Sequence, residues 1–183
     1  MRIPREEYKR TKEFLGHASK GNIECVKNMI YNGEVNIFCV KPVSDSAYRK
    51  DALFFAIKNE RIELADYLVK IGMNPKEYGN GIVRMVAHKG RFKSLDFLIK
   101  NGWSKDEIIG IGIGTLLGDK TYTKLAKFSS HMKIADPIEY AIKHWKSQLS
   151  KVTDEYRPIL EERIKDAPRI RRELKIISIT EIV

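Results

Sequence analysis

The stretch DALFFAIKNERIELADYLVKIGMNP, residues 51–75, predicts two short antiparallel helices joined by a turn. Its apolar residues recur at i, i+3 and i+4, the spacing of one helix face, on both sides of the polar residues 59–61. They are Leu53, Ala56 and Ile57 before the turn, and Ile62, Ala65, Leu68 and Val69 after it. Each predicted helix has about nine residues, and isolated helices are already marginal in water at ~12–15 residues. Both helices therefore need neighbours to pack against.

Three residues mark the ends of this helix pair. The side chain of Asp51 can accept hydrogen bonds from the free N–H groups of the first turn. Gly72 favours the left-handed backbone that ends many helices, and Pro75 prevents the helix from resuming. Residues 51–75 are therefore predicted to form one closed helix-turn-helix unit.

Similar units flank this one at residues 15–36 and 79–104. The helix-ending glycines that align the units are Gly33, Gly72 and Gly102, and the residues that then fall in register are Ala18, Ile57 and Ala87. The glycines are 39 and 30 residues apart. This alignment predicts that the chain is built from repeats of one helical unit.

The repeated pattern resembles ankyrin repeats, whose period is about 33 residues. DALFFA, residues 51–56, stands where that family has Thr-Pro-Leu-His-x-Ala, and DPIEYA, residues 136–141, fits the same positions and keeps the proline. The family's histidine is replaced in turn by Phe54, Arg84 and Glu139. The resemblance implies an all-α fold, an ankyrin-like solenoid of stacked helix-turn-helix repeats with a C-terminal helical cap.

The predicted organisation is an ankyrin-like repeat region over residues 1–145 and a C-terminal helical cap or extension over residues 146–183. The predicted units lie near residues 12–36, 51–75, 79–103, 104–130 and 136–164, after a polar stretch at 1–13 that is either a lead-in or the start of the first helix. In the fifth unit the second helix is predicted at 153–164, and Ala167-Pro168 is predicted to interrupt the helical pattern beyond it. The apolar run Ile176–Val183 is expected to be buried, as a cap or by self-association, because its exposure would favour aggregation.

The fourth unit is irregular, because isoleucines alternate with glycines in residues 108–114. Ser104 and Glu107 predict a capping box at its start. The stretch GIGIGTLLGDKT, residues 110–121, looks like a phosphate-binding loop, but no Gly-Lys-Ser/Thr follows at the required spacing. We interpret the glycines instead as sites of close packing between helices.

The composition predicts a basic protein without a membrane span. The 183-residue chain has a formal net charge of +10, which favours an acidic partner, although a solvated surface explains the charge equally well. No run of about 18 apolar residues is present, and the charged start does not resemble a signal peptide. A cytoplasmic location is therefore expected, in the host cytoplasm if the protein is viral.

Groups suited to catalysis or metal binding are scattered along the sequence. The four histidines lack metal-ligand spacing. Cys25 is predicted to be a buried free thiol, and Cys39 is the only other cysteine. No nucleophile, base and orienting group are evident together. We therefore expect no enzymatic activity, no metal and no cofactor.

The resemblance to ankyrin repeats implies binding through a concave surface formed by the loop tips and the inner face of the first helices. The family's contact positions fall on residues 49, 50, 52, 60 and 61 of the second unit and on 79, 80, 82, 90 and 91 of the third. With neighbouring residues included, the candidate partner-binding set is Tyr48, Arg49, Lys50, Lys58, Asn59, Arg61, Tyr78, Asn80, Lys89 and Arg91. Residues 37–50 form an insertion that is either a recognition loop or a tolerated surface insertion.

Two functions are consistent with these patterns. The first is a non-enzymatic protein-binding scaffold, adaptor or inhibitor that engages an acidic partner surface through its concave face and loop tips. A viral protein that interacts with a host is one form of this hypothesis. The second is a nucleic-acid-binding protein that uses the basic concave face or the basic segment Arg169–Arg172, although no recognised nucleic-acid motif is present. The sequence favours the first function.

Overall fold

The computed structural model describes residues 5–38, 50–150 and 152–180, with side chains up to Leu174 except that of Gln148. These ranges contain α-helices, one short 3-10 helix at Pro75–Tyr78 and no strand, so the predicted all-α class is confirmed for the described part of the chain. The α-helices are α1 (Arg5–Lys20), α2 (Ile23–Tyr31), α3 (Ala52–Lys58), α4 (Ile62–Lys70), α5 (Gly79–His88), α6 (Phe92–Lys100), α7 (Lys105–Gly118), α8 (Tyr122–Met132), α9 (Pro137–Gln148) and α10 (Arg157–Thr180).

The chain divides into two compact units, Met1–Trp103 and Ser104–Val183. We call them unit 1, which contains α1 to α6, and unit 2, which contains α7 to α10. This division differs from the one predicted near residue 145, which falls inside α9. The first helices of unit 1 pack in series, α1 against α3 and α3 against α5, and α4 packs against α6.

The same turn joins the two helices of four pairs, α1–α2, α3–α4, α5–α6 and α7–α8. In each turn one residue has a positive φ, and the N–H of the next residue donates to the carbonyl oxygen five residues before it. The positive-φ residues are Gly21, Glu60, Gly90 and Lys120, and the donors are the N–H groups of Asn22, Arg61, Arg91 and Thr121. This ending satisfies carbonyl groups that the last helical turn leaves unpaired.

The second helix of each pair ends in the same way, at Gly33, Gly72, Gly102 and Lys133. Residues 105–133 are therefore a fourth helix pair of the same form, although the sequence pattern there is irregular. The pattern is obscured because Lys120 and Lys133, with φ of 53° and 58°, replace the usual glycine. A left-handed residue other than glycine costs roughly 1–2 kcal/mol, so glycine is favoured at these positions but is not required.

Asp51 connects the second and third helix pairs of unit 1. Its side chain is buried and accepts a hydrogen bond from Phe54 N at 3.0 Å, which confirms the predicted helix cap. The same carboxylate oxygen accepts a hydrogen bond from the hydroxyl of Tyr78. On the other side of α3, Ser94 Oγ of α6 donates to the carbonyl oxygen of Ile57. Each of these buried polar groups therefore has a partner, as burial requires.

The glycine-rich stretch of unit 2 lies mostly within α7 and is helical. Gly112 is buried, and a Cβ at that position would lie 2.3 Å from Cζ of Phe128 on α8. Close helix packing at Gly112 is therefore confirmed. The predicted capping box is also present, because Ser104 Oγ accepts from Glu107 N at 3.1 Å and Glu107 Oε2 accepts from Ser104 N at 2.9 Å.

The C-terminal part of unit 2 differs from the prediction. Helix α10 is a single helix of 24 residues, so the helix predicted at 153–164 continues into the predicted cap. Pro158 lies in its first turn, where proline is tolerated. The predicted interruption at Pro168 is wrong, because α10 continues through this residue. Packing of α10 against α8 and α9 outweighs the one helical hydrogen bond that a proline removes. The predicted burial of Ile176–Val183 lies outside the described side chains.

Cys25 is exposed on α2, so the prediction of a buried thiol is wrong. Val26 and Met29 occupy the buried side of this helix. Successive helical residues are rotated by about 100°, which turns Cys25 away from that side. Cys39 lies outside the described residues.

Leu68→Ala is expected to lower the free energy of unfolding by about 2–5 kcal/mol, because the fully buried Leu68 would leave a cavity in unit 1. Lys70→Ala, at an exposed position of the same helix, is the control and should change it by no more than about 0.5 kcal/mol. Urea denaturation followed by circular dichroism measures both. Small and equal effects would show that Leu68 is not packed between helices.

Gly112→Ala and Gly114→Ala form a matched pair on α7. Gly112→Ala is expected to destabilise the protein by about 1–3 kcal/mol, because the new methyl group collides with Phe128. Gly114→Ala is expected to stabilise it by about 0.5–1 kcal/mol, because its Cβ would have nothing within 4 Å and alanine is the better helix former. Thermal denaturation compares the two, and effects of the same sign would contradict the close contact at Gly112.

Candidate functional site

An open groove lies between α1 and α3 in unit 1, with a volume of about 230 Å³. Its lining residues are Tyr8, Thr11, Lys12, Leu15, Gly16 and Ser19 of α1 and Phe55 of α3. We call this feature the α1–α3 groove. Its walls consist mostly of apolar atoms, so the groove can bury apolar parts of a ligand.

The groove follows from the length and composition of α1. This helix has 16 residues, whereas α3 has seven. The α1 residues of the groove recur at i, i+3, i+4 and i+7, which places them on a single helix face. Tyr8, near the start of α1, is 45% exposed. A Cβ at Gly16 would have no atom of the described residues within 4 Å, so the missing side chain at this position leaves the groove open.

Positive charge borders the α1–α3 groove. Lys12 lines it, and Lys58 Nζ lies 5.8 Å from the ring centroid of the half-buried Phe55. None of the seven lining residues is acidic. The carboxylate of Glu13 lies instead 3.9 Å from His17 Nε2 on α1. Apolar walls with a positive margin complement a partner that presents apolar and acidic groups together.

Part of the predicted partner-binding set lies at the turns that follow α3 and α5. These residues are Lys58, Asn59, Arg61, Lys89 and Arg91, and we call them the hairpin-turn ridge. Asn59 Nδ2 donates to Ser19 Oγ at 3.0 Å, and Arg61 Nε donates to the carbonyl oxygen of Ser19 at 3.4 Å. Arg91 Nη1 lies 3.5 Å from Glu60 Oε2 of the preceding turn. The side chains of the ridge therefore connect each turn to the turn of the preceding helix pair. Because Ser19 also lines the α1–α3 groove, the ridge adjoins the groove.

Other predicted contact residues lie at the opposite ends of the first helices. Lys50 and Asn80 are near the starts of α3 and α5. Since an α-helix rises 1.5 Å per residue, Asn80 is roughly 14 Å from Lys89 at the other end of α5. The predicted set therefore does not form one patch. Tyr48 and Arg49 lie outside the described residues.

Two contact positions implied by the resemblance and one residue added beside them are buried. Tyr78 is 4% exposed and donates its hydroxyl hydrogen to Asp51, so it is not the exposed contact that the sequence suggested. Ala52 and Ile82 are both fully buried. The reason is the same for all three residues, because the starts of α3 and α5 form part of the core of unit 1.

The sequence pattern alone did not reveal the α1–α3 groove. Of the two interpretations of residues 1–13, the start of the first helix is correct, since α1 begins at Arg5 and contributes Tyr8, Thr11 and Lys12 to the groove. The spacing of Tyr8, Leu15 and Ser19 on one helix face is the signal that could have revealed it. The sequence pattern does not indicate the open space at Gly16.

Within the described part of the chain, no group of three or more His, Cys, Asp or Glu residues is placed to hold a metal ion. No described helix is long and apolar enough to cross a membrane. No protein-family model matches the sequence, and comparison with the curated proteins finds no significant match. Membership of the ankyrin-repeat family stays a prediction from the sequence pattern.

Proposed function

We propose that this protein is a non-enzymatic binding scaffold with an ankyrin-like arrangement of stacked helix pairs. Its partner is a protein with an acidic surface, which it engages through the α1–α3 groove and the adjoining hairpin-turn ridge. The proposed site of action is the cytoplasm, or the host cytoplasm if the protein is viral. The observation that carries the proposal is an open, mostly apolar groove whose lining includes a lysine and no acidic residue.

The repeated turns support a stacked scaffold. Four helix pairs share the same left-handed ending, at residues 21, 60, 90 and 120. Their steps of 39, 30 and 30 residues lie around the ankyrin period of about 33. In unit 1, hydrogen bonds from Asn59 and Arg61 to Ser19 connect consecutive pairs. Stacked pairs of this kind commonly present an extended binding surface along one side.

The charge distribution supports an acidic partner. Lys58, Arg61, Lys89 and Arg91 follow one another along the ridge, and Glu60 is the acidic residue among them. Glu60 is already engaged, because its carboxylate accepts from Lys93 N at 3.0 Å and pairs with Arg91. The exposed positive charges near the groove can therefore steer an acidic partner toward the apolar walls.

Filling the groove tests the proposal. Gly16→Leu is expected to weaken partner capture by about tenfold or more, or ~1.4 kcal/mol, because the new side chain occupies the open space over the groove. Gly114→Leu is the matched control, since Gly114 is also helical and its Cβ would also have nothing within 4 Å. Quantitative affinity capture from cells of the native source, followed by titration calorimetry with the captured protein, measures both variants.

Charge reversal provides the second arm of this test. Lys12→Glu with Lys58→Glu should also weaken capture, whereas Lys70→Glu, on an exposed part of α4, should not. An identical set of captured proteins for wild type, Gly16→Leu and the double reversal would remove the α1–α3 groove as the binding site. Capture that depends on the two lysines but not on Gly16 would place the partner on the charged margin alone.

The nucleic-acid alternative is tested separately by salt titration. None of the five ridge residues is aromatic, so the ridge offers nucleic-acid bases no side chain on which to stack. We therefore expect mixed DNA and RNA to show no measurable binding by fluorescence anisotropy at low salt. Tight binding that falls steeply with salt concentration, as phosphate contacts require, would instead favour the nucleic-acid function.

A further inference from the structure

A second pocket, more open than the α1–α3 groove, lies within unit 2 and is bordered by α8, the turn that follows it, the start of α9, and α10. Its volume is about 720 Å³, within the ~300–1,000 Å³ that is typical of small-molecule sites. Its apolar lining includes Ala126, Ile134, Ile138 and Leu174. We call this cavity the α8–α10 pocket. It shares no residue with the α1–α3 groove.

An internal ion pair leaves the α8–α10 pocket with little net charge. Arg171 Nη2 lies 2.9 Å from Asp136 Oδ2. Asp136 Oδ1 accepts hydrogen bonds from Ile138 N at 3.0 Å and Glu139 N at 2.9 Å. Both carboxylate oxygens are therefore occupied, and the two side-chain charges balance. A charged ligand would find no unpaired opposite charge on this ion pair, so the pocket favours a neutral ligand.

Within the described part of the chain, two buried groups of the lining residues, Ser129 Oγ and Arg171 Nε, have no hydrogen-bond partner. Only 5% of the surface of Ser129 is exposed. The hydroxyl and the Nε–H group both donate hydrogen bonds, and leaving such donors unpaired disfavours the folded state. Rotation about its side-chain bonds can turn the Ser129 hydroxyl toward a ligand. The matching ligand group is a hydrogen-bond acceptor.

We propose that the α8–α10 pocket binds a small neutral molecule with a carbonyl oxygen on an apolar body. The apolar body packs against Ile134, Ile138 and Leu174. The carbonyl oxygen accepts a hydrogen bond from Ser129 or from Arg171 Nε–H. This binding is independent of the proposed partner binding in unit 1.

Three probes of the same carbon skeleton test the proposal with the full chain. 4-Methylpentanamide is neutral and carries the carbonyl oxygen, 4-methylpentanoate is an anion, and 4-methylpentylammonium is a cation without an acceptor. Methyl NMR follows the side chains of Ile134, Ile138 and Leu174 during each titration. The amide is expected to shift these methyl signals and to bind about tenfold more tightly than either ion, as a satisfied hydrogen bond allows.

Substitutions then identify the groups that bind the carbonyl oxygen. Ser129→Ala removes the hydroxyl, and Arg171→Lys keeps the positive charge opposite Asp136 but removes the Nε–H group. At least one of the two should weaken amide binding about three- to tenfold, the effect of one hydrogen bond. Ser147→Ala is the control, because the Ser147 hydroxyl donates to the His144 carbonyl outside the pocket lining and its loss should leave binding unchanged.

Ser129→Ala is expected to fold normally, because the hydroxyl it removes has no partner to lose. A thermal melt checks this point. Ala126→Leu, at a half-buried position, narrows the pocket and should abolish amide binding as a second, independent variant. The proposal is overturned by an amide that shifts none of the pocket methyl signals, by ions that bind as tightly as the amide, or by binding that Ser129→Ala and Arg171→Lys both leave unchanged.

Discussion

The shortness of the helices in unit 1 is the constraint on which the rest of the structure depends. Helix α3 has seven residues, and its buried residues are Ala52, Leu53, Phe54, Ala56 and Ile57. A helix of this length does not persist alone in water, so α1, α4 and α5 must pack around it. Asp51 adds a cap for α3 and a hydrogen bond from Tyr78. The groove and the ridge both exist because α1 and α3 are held side by side in this way.

Local signals explain which parts of the fold could be predicted from the sequence. The apolar stripes, Asp51 and Gly72 predicted the pair that forms α3 and α4, and Ser104 with Glu107 predicted the start of α7. The fourth pair looked irregular because isoleucines alternate with glycines in residues 108–114 and because lysines replace its helix-ending glycines. The continuation of α10 through Pro168 could not be predicted, because it depends on packing against α8 and α9, which no local pattern encodes.

The candidate site was harder to predict than the fold because it depends on space and on distant partners. Tyr78 is buried through a hydrogen bond to a carboxylate 27 residues earlier, which its neighbours in the sequence do not indicate. The opening over Gly16 depends on the spacing of the surrounding helices as well as on the missing side chain. Arg61 and Arg91 could be identified as exposed cations, but not as residues that also bond to a preceding turn.

Arg61 of the hairpin-turn ridge is preorganised as well as positively charged. A Cβ at Gly21 would lie 2.8 Å from Arg61 Cδ, so the aliphatic stem of Arg61 crosses a turn that only glycine leaves open. Immobilising a free arginine side chain costs roughly 2 kcal/mol of rotamer entropy. Folding has already restricted Arg61 through its stem and its Nε–H group, whereas the terminal amino groups take no part in that bond. An acidic partner therefore binds a cation whose side chain is already ordered. Binding then costs less side-chain conformational entropy.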